Sequence, residues 1–249
     1  MLFDIDGVIR DVGGSYRRAL AETVHHYSSW RPDQASIDSL KAEGRWNNDW
    51  DASLELLRRH GCPPPPRQEL VALFSNFYFG GDPHGDPASW SGFIGTEPLL
   101  VNANFFAQLT AAGLGWGFVS GAEPTSARYV LEQRLGLVAP PLIAMGDAPD
   151  KPDPTGLLQL CDRLLGEQLL PVAYLGDTVA DVETVQRARR QRPQQRFWSL
   201  AVAPPHLQTP EQRPARQRYE AQLQAAGADR ILSCTADVKG AVLELLGSN

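Results

Sequence analysis

Six side chains suited to joint chemistry are spread along this 249-residue chain: Asp4 and Asp6, Ser120, Lys151, Asp177 and Asp181. The first two come from Leu2-Phe3-Asp4-Ile5-Asp6-Gly7-Val8-Ile9, where apolar residues run into two carboxylates at i and i+2 and a glycine follows. Alternate residues share a face of a strand, so a chain leaving a buried strand here aims both carboxylates at one point. Gly7 then lets the backbone turn sharply. Carboxylates that close repel unless a cation or a shared proton relieves them. Hard divalent ions such as Mg2+ prefer oxygen ligands. The local reading is a metal-assisted carboxylate site at the carboxyl end of a strand, where open α/β sheets bind ligands. Taken alone, the same string is equally an Asp-Gly turn after a short edge strand, and the rest of the chain has to decide between them.

The elements that must position these groups follow from hydrophobic periodicity. After Gly13-Gly14, a helix capped by Ser15 carries Tyr16, Ala19, Leu20, Thr23, Val24 and Tyr27 at helical spacing. Further helices are expected after Ser36, from Asp51 to His60, and from about Gln68 to Phe79, with Pro63 to Pro66 as a stiff connector. Residues 14–92 therefore read as all-helical. Beyond them strands and helices alternate: strands at 116–119, 142–144, 172–175, 197–202 and 230–232, with helices near 101–112, 125–135, 153–165, 179–190, 211–225 and 236–246. Such alternation implies a parallel, doubly wound α/β sheet. The expected organisation is a Rossmann-like core of residues 1–13 and 93–249, with a small helical domain, 14–92, inserted after the first strand. That strand has only Met1-Leu2-Phe3 ahead of Asp4, so it is either unusually short or continued by earlier residues.

Composition narrows the classes. Apolar residues make up 43% and the net charge is −6, which gives no reason to expect nucleic acid or an anionic membrane as a partner. The five arginines between Arg187 and Arg196 lack an aromatic platform and read as a solvated helix end. No apolar run reaches the length of a membrane span, and no signal peptide is evident. Cys62, Cys161 and Cys234 form neither a metal spacing nor a disulfide framework, so a cytoplasmic location is expected.

All the polar points stand at the carboxyl ends of expected strands, which in a parallel sheet lie along one edge. In this arrangement the chain resembles the haloacid dehalogenase-like superfamily of phosphohydrolases. Its four motifs have matches in order: Asp4-Ile5-Asp6-Gly7-Val8; Phe118-Val119-Ser120-Gly121; Lys151-Pro152-Asp153-Pro154; and Gly176-Asp177-Thr178-Val179-Ala180-Asp181. The helical insert resembles the cap of subfamily I, the group that includes β-phosphoglucomutase and phosphoglycolate phosphatase.

The resemblance implies roles. Asp4 would be the nucleophile that forms an aspartyl-phosphate. Asp6 would be the general acid and then the base that activates water. Mg2+ would be held by the Asp4 carboxylate, the Asp6 backbone carbonyl and Asp177, with Asp181 in support. Lys151 and the Ser120 hydroxyl would orient the phosphoryl group, helped by the backbone N–H groups of Ile5 and Gly121 and by the helix N-terminus beyond. Asp6 separates this chain from dehalogenases, whose halide leaving group needs no proton. It also separates it from phosphonate-cleaving members, which use a cap lysine; here that region holds only Lys41. The expected substrate is a small phosphorylated metabolite, a sugar or organic-acid monophosphate, handled by a monomer or homodimer. A phosphomutase and a degenerate binding protein are the alternatives.

Substrate selection is expected from the cap, which closes over the site in such enzymes. Gly44-Arg45-Trp46-Asn47-Asn48-Asp49-Trp50 joins two helices there and gathers amides, an arginine and two indoles. Asn47 and Asn48 would bind hydroxyls and Arg45 an anionic group; the alternative is a connector whose tryptophans pack on the cap core. Arg10, just past the first motif, is a further candidate for lining the cleft.

Overall fold

The computed structural model describes residues 1–41, 43, 46 and 48–247, and they form two compact units. One comprises Met1–Asp11 with Leu99–Asn249, the other Val12–Pro98. The second starts and ends slightly outside the 14–92 expected from the sequence.

The first unit is built on a six-stranded sheet in which β1 (Leu2–Phe3), β2 (Gly117–Val119), β3 (Leu142–Ile143), β4 (Val172–Gly176), β5 (Phe197–Val202) and β6 (Arg230–Leu232) lie in the order β3-β2-β1-β4-β5-β6. Every neighbouring pair is parallel. Both residues of β1 are buried between β2 and β4, with Phe3 level with Phe118 on one side and Leu175 on the other. The chain leaves β1 in one direction for β2 and β3, then crosses to β4 and its neighbours. The order reverses between β1 and β4, which is where ligands bind in open α/β sheets.

Strand alternation sorts the core into two layers. Phe3, Phe118, Ala173 and Leu175 pack with Phe106 and Leu109 of α5 (Ala103–Ala111) and with Val238 and Ala241 of α10 (Val238–Gly247). Leu2, Val119, Val172 and Tyr174 face Leu157, Leu160 and Cys161 of α7 (Thr155–Leu165) and Val185 and Ala188 of α8 (Val179–Gln191). Then α9 (Arg213–Ala225) adds Leu223 against Val182 and Ala201. The helix expected at 125–135 departs from regularity. It begins as α6 (Pro124–Arg128) and continues as a π-helical turn over Tyr129–Arg134, with Leu135 N–H reaching back to Val130.

The second unit holds α1 (Tyr16–Ser28), α2 (Gln34–Lys41), α3 (Asp49–Arg59) and α4 (Arg67–Phe79). Ala19, Leu20 and Val24 of α1 are buried with Ala52, Leu56 and Leu57 of α3 and with Leu70 and Phe74 of α4. Ser15 precedes α1 but makes no side-chain cap; its hydroxyl donates to the buried Glu97 carboxylate at 2.5 Å, which also receives Tyr78 at 3.1 Å.

Four of the five arginines in the basic run have partners: Arg187 with Glu183, Arg189 with Asp229, Arg192 with Asp162, and Arg196 over the Trp198 ring. The three cysteines carry free thiols, and among the described residues no helix is long and apolar enough to cross a membrane.

Candidate active site

The four sequence motifs converge at the carboxyl edge of the sheet. Asp4 follows β1 directly, and its N–H donates to the Leu175 carbonyl at 2.9 Å. That bond continues the β1–β4 ladder by one residue and carries Asp4 to the end of β4, where Asp177 begins its loop. Behind them Thr235 pins the turn after β1, donating its hydroxyl to the Val8 carbonyl at 2.7 Å.

Asp4, Asp177 and Asp181 are all buried and offer carboxylate oxygens that lie within 4.8 Å of one another. Lys151 enters the same point. Its ammonium is 2.9 Å from Asp4 Oδ2 and 2.5 Å from Asp181 Oδ1. Gly176 explains how Asp181 gets there: a Cβ on Gly176 would lie 2.2 Å from the Asp181 Cβ, so only a glycine leaves α8 free to bring that residue onto the strand.

The electrostatics follow from three buried acids sharing one lysine. Burial pushes the Asp4 carboxyl up to about 6; Lys151 pulls against it, and Asp181 and Asp6 add to the rise. Burial, then the charges of Asp181 and Asp4, hold the Asp177 carboxyl well above the usual range. Asp181 goes the other way: burial opposes its charge, but Lys151 and the bonds from Thr178 outweigh it. For Lys151 too, burial opposes the charge and is outweighed by Asp181 and Asp4, so the ammonium stays protonated. Three buried carboxyls thus share the single positive charge of Lys151, which leaves the cluster with an excess of negative charge. Their hard oxygen donors and excess negative charge fit a divalent ion such as Mg2+.

Several expected roles change in detail. Both Asp181 oxygens are occupied: Oδ1 accepts from Lys151 and Oδ2 from the Thr178 N–H and hydroxyl, in a capping box that starts α8. Asp181 therefore holds the lysine while it stands in the cluster with Asp4 and Asp177. Arg10 was expected to line a cleft, yet it is fully buried and its Nε donates to Asp6 Oδ1 at 2.7 Å. It serves the second aspartate, whose side chain is 29% exposed. The Ile5 N–H, expected to meet phosphate, donates to Asp4 Oδ1 at 2.8 Å because that is its nearest acceptor. The helix beyond Gly121 starts only at Pro124, and the Glu123 carboxylate accepts from its Ser126 N–H at 3.3 Å.

Ser120 stands where it was expected, at the end of β2, buried, with its Oγ accepting from the Ala122 N–H across the exposed Gly121. Asn48 Oδ1 accepts from the N–H groups of Trp50 and Asp51 and caps α3, so that oxygen is not open to a ligand. Arg45 and Asn47 lie outside the described residues.

Sequence reasoning missed two residues. The Tyr219 hydroxyl donates to the Asp177 carbonyl at 2.9 Å, fixing the loop that carries this carboxylate. Tyr174 sits beneath Asp181, within hydrogen-bond distance of it, of Lys151 and of the Val119 carbonyl. A signal was present: a tyrosine inside an otherwise apolar buried strand needs a partner for its hydroxyl.

A doubly wound parallel sheet with a carboxylate and lysine cluster at its switch point is an arrangement suited to binding and transferring a phosphoryl group. The family model for haloacid dehalogenase-like hydrolases matches residues 1–189, and the chain belongs to that family. A relative from Phytophthora nicotianae, described as imidazoleglycerol-phosphate dehydratase, is 29% identical over 193 residues, 76% of this chain and 41% of its own length. The chain thus spans less than half of that relative. Among solved structures, a putative β-phosphoglucomutase from Thermotoga maritima superposes with a TM-score of 0.65 at 14% identity, covering 98% of this chain and 97% of its own. A phosphatase from Thermococcus thioreducens gives 0.61 at 19% identity, covering 79% and 90%. At these identities the two structures speak for the fold alone.

Proposed function

We propose that the protein is a Mg2+-dependent phosphatase that hydrolyses a small phosphorylated metabolite through an aspartyl-phosphate. The observation that carries this reading is the placement of Asp4 at the switch point of the sheet, beside Asp177 and against Lys151 at 2.9 Å.

In this reading a carboxylate oxygen of Asp4 attacks phosphorus, and the bond from phosphorus to the ester oxygen breaks. Asp6 protonates the departing oxygen, then takes a proton from water as that water attacks the acyl phosphate and returns Asp4 and inorganic phosphate. The Arg10 guanidinium holds Asp6 in place for both steps. Lys151 and the Ser120 hydroxyl bind the transferring phosphoryl oxygens, where negative charge is spread in the transition state. Asp4, Asp177 and the Asp6 carbonyl would hold Mg2+, which supplies charge neutralisation at those oxygens. Asp181 acts through Lys151.

The substrate is a small monophosphate ester of a sugar or organic acid. The long relative widens this choice, because its name refers to a phosphate ester that carries an imidazole, and that class belongs in the same test. Phosphate release would be measured from sugar, carboxylic-acid and imidazole-bearing monophosphates, imidazoleglycerol phosphate among them, with Mg2+ or EDTA, for the wild type and Asp4→Asn. Mg2+-dependent release that the variant loses supports the reading. Isomerisation without net phosphate release, dependent on a bisphosphate activator, would make the protein a mutase of the β-phosphoglucomutase type. Binding with neither reaction would make it a degenerate binding protein.

A further inference from the structure

We infer that Tyr174 is a positioning residue that fixes the Lys151 ammonium and couples it to Ser120; this rests on the reading of Lys151 as a phosphoryl-binding group. An ammonium has three protons to donate and no acceptor. Around Lys151 Nζ stand three acceptors: Asp181 Oδ1 at 2.5 Å, Asp4 Oδ2 at 2.9 Å and the Tyr174 hydroxyl at 3.3 Å. The two carboxylates take two of the three N–H groups. The phenol stands at the third, the longest of the contacts at 3.3 Å, and so directs the N–H that a phosphoryl oxygen would share in the proposed reaction.

The phenol is itself immobile. Tyr174 is 1% exposed, its ring lies within the layer formed by Leu2, Leu157 and Val185, and its hydroxyl reaches the Val119 carbonyl at 2.9 Å and Asp181 Oδ1 at 2.9 Å. Val119 is the last residue of β2 and the one before Ser120. One hydroxyl therefore touches the lysine, the acid that holds the lysine, and the backbone that carries the serine. Gly176, two residues on and on the same face, makes the room in which this happens.

The inference separates Tyr174 from a residue that only fills the core. Tyr174→Phe keeps the ring and its packing and removes the three polar contacts. Two readouts apply to it. The chain has three lysines, Lys41, Lys151 and Lys239, so amine acylation followed by mass spectrometry reads each one separately, with Lys41 and Lys239 as internal standards. In Tyr174→Phe, Lys151 is expected to label several-fold faster relative to them. In steady-state kinetics on the preferred ester at saturating Mg2+, kcat is expected to fall about tenfold or more with KM little changed. In a Lys151→Met background the same change is expected to have no further effect on the residual rate, since a residue acting through Lys151 has nothing left to position.

Unchanged labelling of Lys151 overturns the inference whether or not any ester is turned over. An equal loss of kcat with and without Lys151, or a lowered unfolding midpoint with kcat intact, overturns it as well. A wild type that releases phosphate from no ester refutes the phosphatase reading, while the labelling result still decides the role of Tyr174.

Discussion

Gly7 lies directly against the carboxylate of Asp177. Its φ is +74°, and a Cβ built there would stand 2.0 Å from Asp177 Oδ2 and 2.5 Å from Cγ. The glycine that turns the chain after the first motif is thus also one wall of the site, and the fourth motif can approach the first only because that wall has no side chain.

Gly7→Ala is expected to fail on both counts. The left-handed backbone costs an L-residue about 1–2 kcal/mol, and the methyl must displace Asp177. A shift of about 1 Å at such a group lowers kcat roughly 100-fold. The expected outcome is a modest drop in unfolding midpoint with a large loss of rate and a weaker response to Mg2+. A variant as active as the wild type would mean that Asp177 has room to move without consequence.

Arg10 and Asp6 form a pair with unequal surroundings: the arginine has no exposed surface and the aspartate is 29% exposed. Arg10→Met keeps the buried volume and removes the charge. Water can rehydrate Asp6, so the loss of stability is about 1.5–3 kcal/mol, the range for a hydrogen bond to a charged group. The rate is expected to fall about tenfold because Asp6 is no longer held, while the ranking of substrates stays the same. A changed ranking would instead return Arg10 to the role of reading the substrate.

The cap of α3 gives a prediction confined to stability. Asn48→Ala removes the oxygen that receives the N–H groups of Trp50 and Asp51, and such a loss typically costs about 1 kcal/mol. A lower unfolding midpoint is expected, with the preferred ester unchanged. If the preference shifts, the amide nitrogen of Asn48 has a part in selection that its capping oxygen does not reveal.

The sequence made the frame of this site readable for a physical reason. Buried parallel strands leave apolar runs, and the residues that follow them must be polar or glycine because the chain emerges there; Asp4, Ser120 and Asp177 are such residues. What the sequence withheld is pairing. Nothing in the spacing of Asp181 tells that its two oxygens are divided between Lys151 and Thr178, or that Arg10 turns back to Asp6 instead of outward. Tyr174 was hidden because a strand residue 23 positions from Lys151 and 55 from Val119 in sequence is either packing or partner, and periodicity treats the two alike. Glu123 was hidden by its helix: a carboxylate before Pro124 is an ordinary cap, and spacing does not tell that it reaches the Ser126 N–H.

The buried acids make the metal-free protein sensitive to pH in a definite direction. Burial raises Asp4 from 3.8 to about 6. A carboxyl with a raised folded value contributes stability that is fully present below the unfolded value and lost as pH rises through the folded one. That difference of about two pH units corresponds to about 3 kcal/mol at 1.36 kcal/mol per unit. In EDTA, Asp4→Asn is therefore expected to unfold at a higher temperature than the wild type at pH 8. The gap should narrow as pH falls through 6 and close near 4, where the wild-type carboxyl is itself neutral. Adding Mg2+ at pH 8 should reverse the order, since the cation relieves the charge that the substitution removed and gains little from an amide. Thermal melts across pH with and without Mg2+ check both arms. A variant that is no more stable than the wild type in EDTA at pH 8 would show that Lys151 alone neutralises Asp4.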